Sequence, residues 1–478
     1  MAPGVNDRAA LADGAPRARR LWAPQAWIGA RWRERVLLEI DDGGCWLEIA
    51  CGVDAPADAL RLAGPVLAGL VDAHGHAFQR AGAGRAESRI GEGDDFWSWR
   101  EQMYRVAAAI GPEELRAVAA HLYAELLAGG YTQVCEFHYL HRTRAGRDER
   151  PQAMAEALAA AAADAGIGLT WLPALYERAG FTEPALAPAQ ARFATTPGEV
   201  LALAEALPRG PLVERGVALH SLRAVTPVSL ARLVERAGPG PIHIHVAEQR
   251  AEVDACIAAT GLRPLEWLAA HAGLDSRWQL VHATHALPHE IDAVAAAGAG
   301  VVLCPTTEAN LGDGCCDLPR WLAAGVPLAV GSDSQVGRAW PEELRWLEYG
   351  QRLALGRRNV AAAPPAFAST AARLYERVLA GGGRAAGHRR WGLERGARAD
   401  LLVVDLDEPA FAGVARDGWL DALVFAAPAR PFAATLVGGR WTAPDRPRLA
   451  ARYAAALERI DSGAAPSPTR CRDPVRYV

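Results

Sequence analysis

The chain has 478 residues, enough for one large domain or two to three ordinary ones, and is 51% hydrophobic and 22% charged, which excludes a disordered chain. A formal net charge of -4 gives no global pull toward nucleic acid or an anionic membrane. All 51 basic residues are arginine, which rules out a Schiff-base lysine and a carbamylated lysine bridging two metals.

Residues 1–19 carry acidic side chains early and no apolar core, so they read as a flexible N-terminus and not as a signal peptide. From 20 to 65, short β-prone runs broken by Asp-Gly-Gly predict the hairpins of a small sheet. From 66 to 382 the pattern changes to short apolar runs separated by Ala- and Leu-rich stretches. The predicted strands are "VLAGLVDA", "YTQVCEF", "IGLTWLPALY", "RGVALH", "PIHIHVA", "WQLVHA", "GAGVVLCP" and "VPLAVGSD". Helical stretches such as "PEELRAVAAHLYAELLAGG" and "LPHEIDAVAAAG" end in glycine, as a helix C-cap does. Strands each followed by a helical stretch predict an α/β fold, a (β/α)8 TIM-type barrel. Residues 383–445 return to alternation in "GARADLLVVDLDE" and "ATLVGGRW", giving a small β-sandwich built from both chain ends. Residues 446–478 hold one helix, "RPRLAARYAAALERI", and a Pro/Ser-rich tail. No apolar stretch reaches membrane-spanning length, and the 8 cysteines show no metal-knuckle spacing. A cytoplasmic protein with reduced thiols is expected.

Active sites of such barrels lie at the C-terminal ends of the strands. The first strand ends in "GLVDAHGHAFQR", where His74 and His76, two residues apart, share one face. The fifth ends with His245 and Glu248, the sixth with His282, the eighth with Asp333. Histidines and carboxylates from four strand ends converge on one axis, which is the donor chemistry of a divalent metal site. His243 lies about 7 Å deeper by strand rise and reads as barrel filling or an outer partner. His285 reads as a loop residue, and His138 and His141 as lying beyond the second strand proper. His121, His271, His289 and His388 are expected in solvent.

The order HxH, His, His, Asp on strands one, five, six and eight resembles the amidohydrolase superfamily. "HAFQRAGAGRAE", "DDFWSWREQMYR", "GYTQVCEFHYLH", "HSLRAV", "HVAEQ", "CPTTEANLGDG", "GSDSQV" and "EELRWLEYGQRL" resemble, more narrowly, its formimidoylglutamate deiminase branch, over essentially the whole barrel. That resemblance implies a hydrolase that converts N-formimino-L-glutamate to N-formyl-L-glutamate and ammonia in histidine breakdown. It implies one divalent metal, zinc with iron(II) as the alternative, on His74, His76, His245 and Asp333. Glu248 and His282 would handle protons, with Asp333 accepting one from water. Gln79, Arg100, Tyr139, His220 and Arg223 would bind substrate. The partner is a small molecule, with no nucleic acid and no membrane, and a homodimer is expected. Two positions depart from the branch. Gly75 stands where a serine is expected. Gln335 stands where a histidine is expected, which bears on how Asp333 is oriented.

The residues support the substrate class independently, since two carboxylates in a closed barrel mouth need charged, bidentate donors. Arg100 follows strand one and Arg223 follows strand four, with Phe96, Trp97 and Trp99 to enclose the former. Other readings are the same chemistry on N-formimino-L-aspartate, deamination of a purine, pterin or triazine ring, or a metal-free binding protein on a barrel scaffold.

Overall fold

The computed structural model describes residues 19–87, 96–143, 150, 152–428 and 430–463, with side chains from 99 onward in the second of these ranges. The expected flexible N-terminus, the C-terminal tail, Cys471 and the side chains of Phe96 and Trp97 lie outside the described residues.

Eight parallel strands form the barrel, in the order Leu70–Gly75, Tyr131–His138, Gly168–Leu175, Val217–Ser221, Ile242–Val246, Trp278–His282, Gly300–Leu303 and Leu328–Val330. Nearly every residue in them is buried, the signature of a sheet covered on both faces. Sequence neighbours pair throughout, and the ring closes between the first strand and the turn after the eighth. There the His76 N–H donates to the Asp333 carbonyl at 3.2 Å and the Asp333 N–H to the His74 carbonyl at 3.0 Å. Three of the candidate metal ligands therefore sit on the seam of the barrel.

The helices begin and end as their sequences dictate. Pro112–Ala128 starts with proline at N1, and the Glu114 side chain accepts the Gly111 N–H at 2.9 Å. Pro288–Ala297 stops at Gly298, whose φ of +67° suits a residue without Cβ. The C-terminal helix, Arg446–Gly463, packs on Pro112–Ala128 and ties to it through Arg459 and Glu114 at 2.9 Å.

The chain ends build a second sheet of eight strands, with Arg20–Trp27 and Trp32–Ile40 at one side and Leu401–Val404 and Phe432–Val437 at the other. Val66–Leu67 joins the two halves by pairing with Ala26 and with Leu402 and Val403. That run was expected at the head of the first barrel strand, but its alternation fits either sheet, and Gly69 separates it from Leu70. Helix Trp419–Phe425 also interrupts the β-patterned 383–445 segment. A buried pair, Arg398 and Asp400 at 2.6 Å, links this sheet to the barrel floor. The Arg398 guanidinium also donates to Gln133 Oε1 at 2.7 Å and to the Thr132 carbonyl at 3.0 Å.

Candidate active site

The strand ends that carry the polar residues have unusual backbones. Ala247, His282, Ala283, Asp333 and Gln335 all have positive φ, between 47° and 69°, without being glycine. Left-handed backbone costs an L-residue roughly 1–2 kcal/mol, and such strain concentrates where side chains must be aimed. Here it turns His282 and Asp333 toward the barrel axis.

His74, His245, His282 and Asp333 each place a donor atom within 4.8 Å of the other three. The Nε2 atoms of His74 and His245 face each other at 3.0 Å, and His76 Nε2 lies 3.3 Å from Asp333 Oδ1. The other ring nitrogens set the tautomers. His76 Nδ1 donates to the Phe137 carbonyl at 2.6 Å and His245 Nδ1 to the His220 carbonyl at 2.7 Å, leaving both Nε2 atoms with lone pairs turned inward. His74 Nδ1 has no partner among the described residues, so one polar atom of that buried ring stays unsatisfied whichever nitrogen carries the proton. Burial, reinforced by the neighbouring rings, pushes the His74 and His245 imidazoles well down, and burial lowers His76 too. Neutral imidazoles and a carboxylate converging in a buried pocket are a fitting donor set for a divalent cation.

His282 differs from the other three. Its Nδ1 meets Glu308 Oε1 at 3.4 Å, and its Nε2 lies 3.7 Å from both Glu248 Oε1 and Asp333 Oδ2. Burial would lower this imidazole, but the facing carboxylates outweigh it and push it up to about 10. Its two nitrogens face three carboxylates, so His282 suits proton handling although it belongs to the tight cluster. Burial raises the Glu248 carboxyl to about 7, where it can hold a proton to give.

One cavity joins this cluster to all five positions singled out for substrate: Gln79, Arg100, Tyr139, His220 and Arg223. Gln79 Nε2 donates to Tyr139 Oη at 2.7 Å, which leaves the Tyr139 O–H to donate elsewhere. The His220 ring packs edge-on against Tyr139 and Tyr176, with centroids 5.2 and 4.5 Å away. The Arg100 guanidinium lies over the Tyr104 ring, 5.5 Å from its centroid. Burial and the like charge of Arg223 lower its pKa, so both cations face the same space.

The sequence profile of the Amidohydrolase family matches residues 66–442. The chain belongs to the amidohydrolase family. It is 44% identical over 434 residues to the formimidoylglutamate deiminase of Pseudomonas aeruginosa, covering 89% of this chain and 94% of that one. It is 29% identical over 386 residues to a 5-methylthioadenosine/S-adenosylhomocysteine deaminase of Natronomonas pharaonis, covering 80% and 82%. The crystal structure of an amidohydrolase from Brucella melitensis superposes with a TM-score of 0.86 at 40% identity, covering 92% of this chain and 99% of that one.

This amidohydrolase has site residues that strand-end reading does not find. Glu308 accepts the Cys304 N–H at 2.9 Å while facing His282, so it orients that ring. Asp313 accepts from Gln249, its Oδ2 is buried with no partner among the described residues, and it stands with Glu248 and His282 in a second carboxylate–imidazole cluster. Burial and the Glu248 charge push its carboxyl up to about 9. Both residues lie in "TTEANLGDG", and that motif was the available signal.

The other histidines sort by their contacts. His243 is buried and donates to the Ala385 carbonyl at 2.9 Å, as barrel filling should. His138 belongs to the second strand, contrary to the expectation that it lies beyond it, and its Nε2 bonds the Leu140 carbonyl at 2.8 Å. His121 and His388 are not solvated as expected, because their rings stack on Tyr453 and Trp391.

Proposed function

We propose that the chain is a formimidoylglutamate deiminase, hydrolysing N-formimino-L-glutamate to N-formyl-L-glutamate and ammonia within histidine breakdown. The observation that carries this reading is the single cavity in which Arg100 and Arg223 face the histidine–aspartate cluster, a box with cationic walls for carboxylates and a hydrolytic end. The likeness to the Pseudomonas aeruginosa deiminase supports it.

In the mechanism we infer, His74, His76, His245 and Asp333 hold one divalent metal, zinc by its fit to nitrogen and carboxylate donors, with iron(II) as the alternative. When bound, that ion supplies the Lewis acidity that makes a water nucleophilic near neutral pH. The protein's own groups do the rest. Asp333 accepts a proton as water oxygen bonds to the formimino carbon, and His282, held by Glu308, stabilises the carboxylates around it. Glu248 gives its proton to the terminal nitrogen, whose bond to carbon breaks. The hydroxyl proton of the tetrahedral carbon restores Glu248 and leaves the formyl carbonyl. Ammonia departs with the proton that Asp333 held. Gln79, Tyr139 and His220, with the two arginines, hold the dicarboxylate in place meanwhile.

We read residues 20–65 and 383–445, joined by the Val66–Leu67 strand, as the chain-end β-domain and the rest of 66–382 as the catalytic barrel. A homodimer in the cytoplasm is the assembly and compartment we propose; among the described residues no helix is long and apolar enough to cross a membrane. Ammonia release measured across N-formimino-L-glutamate, N-formimino-L-aspartate and a set of purine, pterin and triazine rings tests the reading. A preference for the aspartate compound corrects the substrate, and turnover of a ring with none of the formimino acids overturns it.

A further inference from the structure

Behind Arg100 and Arg223, the 3-10 helix Pro188–Phe193 carries Gln190, which is 2% exposed. Its Oε1 accepts the Ala187 N–H at 2.9 Å, and this fixes which end of the amide is nitrogen. The Nε2 then donates to two phenol oxygens, Tyr176 Oη at 2.8 Å and Tyr104 Oη at 3.1 Å. Tyr176, itself 2% exposed, is hydrogen-bonded through its hydroxyl to that of Tyr104. The amide spends its two N–H groups on the two oxygens and cannot accept from either. One phenol proton lies between the two hydroxyl oxygens, and the other has to be donated outward. Tyr104 is the less buried of the two, so its hydroxyl is the one placed to donate into the cavity. Tyr104 lines the catalytic cavity beside Arg100, with that guanidinium over its ring.

We propose that Tyr104 is a further substrate-binding residue, donating its O–H to a carboxylate of the substrate, and that Gln190 and Tyr176 are positioning residues that aim that proton. The assignment rests on the proposed function for the identity of the anion. It explains why a neutral, buried chain of amide and phenols stands against two arginines in place of a third charge. A guanidinium recognises the carboxylate plane, and a phenol adds a directed donor without increasing the repulsion between cations.

Steady-state kinetics of the metal-loaded protein test it, with metal content and melting temperature recorded for each variant. Tyr104→Phe removes one oxygen and leaves the ring under Arg100. It is expected to raise KM for N-formimino-L-glutamate by about 10- to 100-fold, the usual cost of a hydrogen bond to a charged group, with kcat within about 2-fold. Gln190→Glu is nearly isosteric but accepts where the amide donates, so it draws the phenol protons back from the cavity. It is expected to reproduce the KM rise, and to add little in the Tyr104→Phe background. On a mono-carboxylate analogue lacking the contacted group, Tyr104→Phe is expected to change nothing. If the wild type is active and Tyr104→Phe leaves KM unchanged, or lowers both substrates equally, the assignment is overturned. If the wild type releases no ammonia from any formimino acid, the functional reading fails first, and that result is distinct from the other.

Discussion

A Cβ placed on Gly75 would lie 2.7 Å from Gln335 Nε2, so the two departures from the family pattern occupy one space. Gln335 uses that space to hold the seam of the barrel. Its Nε2 donates to the Asp333 carbonyl at 2.9 Å, and its Oε1 accepts from Ser332 Oγ at 3.0 Å. The Ser332 N–H in turn donates to Asp72 Oδ1 at 2.8 Å. Asp333 and Gln335 both have left-handed backbones, and this clasp helps to hold them there. The expected histidine is absent, yet Asp333 remains oriented toward His74 and His76.

Gly75→Ala is therefore expected to push Gln335 out of place and destabilise the folded protein by about 1–3 kcal/mol, as overpacking commonly does. The same change made in Gln335→Ala is expected to cost much less, because the obstacle is gone. Melting curves and metal content of the two single variants and the double variant give the coupling directly. Strict additivity would show that the two positions are independent.

Removing a metal-holding side chain should lower metal content and activity together. His245→Ala and Asp333→Ala each take away a donor that the fold has already oriented, His245 through the His220 carbonyl and Asp333 through the seam. Elemental analysis is expected to give one divalent ion per wild-type chain and well under half of that in either variant. Two ions per chain, or full activity with none, would overturn the mononuclear site.

Glu248 and Glu308 separate proton handling from metal holding. Glu248→Gln is expected to retain the metal and the substrate KM while kcat falls by ~10²–10⁴-fold, since an amide cannot give the proton. Glu308→Gln leaves the Cys304 contact available but withdraws a charge from His282. Its kcat is expected to fall less than that of Glu248→Gln, again with the metal in place. Loss of metal from Glu248→Gln would place that residue in the ligand set and overturn its assignment as a proton carrier.

What could be read in the sequence was whatever strand periodicity exposes. Two-residue spacing puts His74 and His76 on one face, and strand ends put His245, His282 and Asp333 at one rim. Periodicity has no hold on loops. Glu308 and Gln190 reach the site on short helical segments and Asp313 on the loop that follows, and their destination depends on the whole barrel, while Tyr104 and Tyr176 look like ordinary core aromatics. Val66–Leu67 carries the apolar pattern of either sheet, and only its pairing partners decide which one it joins. The relation between Gly75 and Gln335 spans 260 residues and consists of a missing side chain, which leaves no trace in spacing.

Arg100 follows the first strand and Arg223 the fourth, yet both face one cavity, and the charge of Arg223 lowers the pKa of Arg100. Two guanidiniums on the wall of one cavity present a fork apiece, which matches the two anionic ends of a dicarboxylate. Arg100→Met and Arg223→Met keep the length of the apolar stem and delete the fork. Each is expected to lower kcat/KM for N-formimino-L-glutamate by about 30- to 1000-fold, the equivalent of losing roughly 2–4 kcal/mol of charge-assisted contact in an enclosed site. Neither should reduce metal content, because neither side chain belongs to the histidine–aspartate cluster. The preference for the dicarboxylate over a mono-carboxylate analogue should shrink in both, since the discriminating group is gone. Should the preference survive intact in one variant, that arginine does not hold a substrate carboxylate, and its place beside the other is only a matter of the wall.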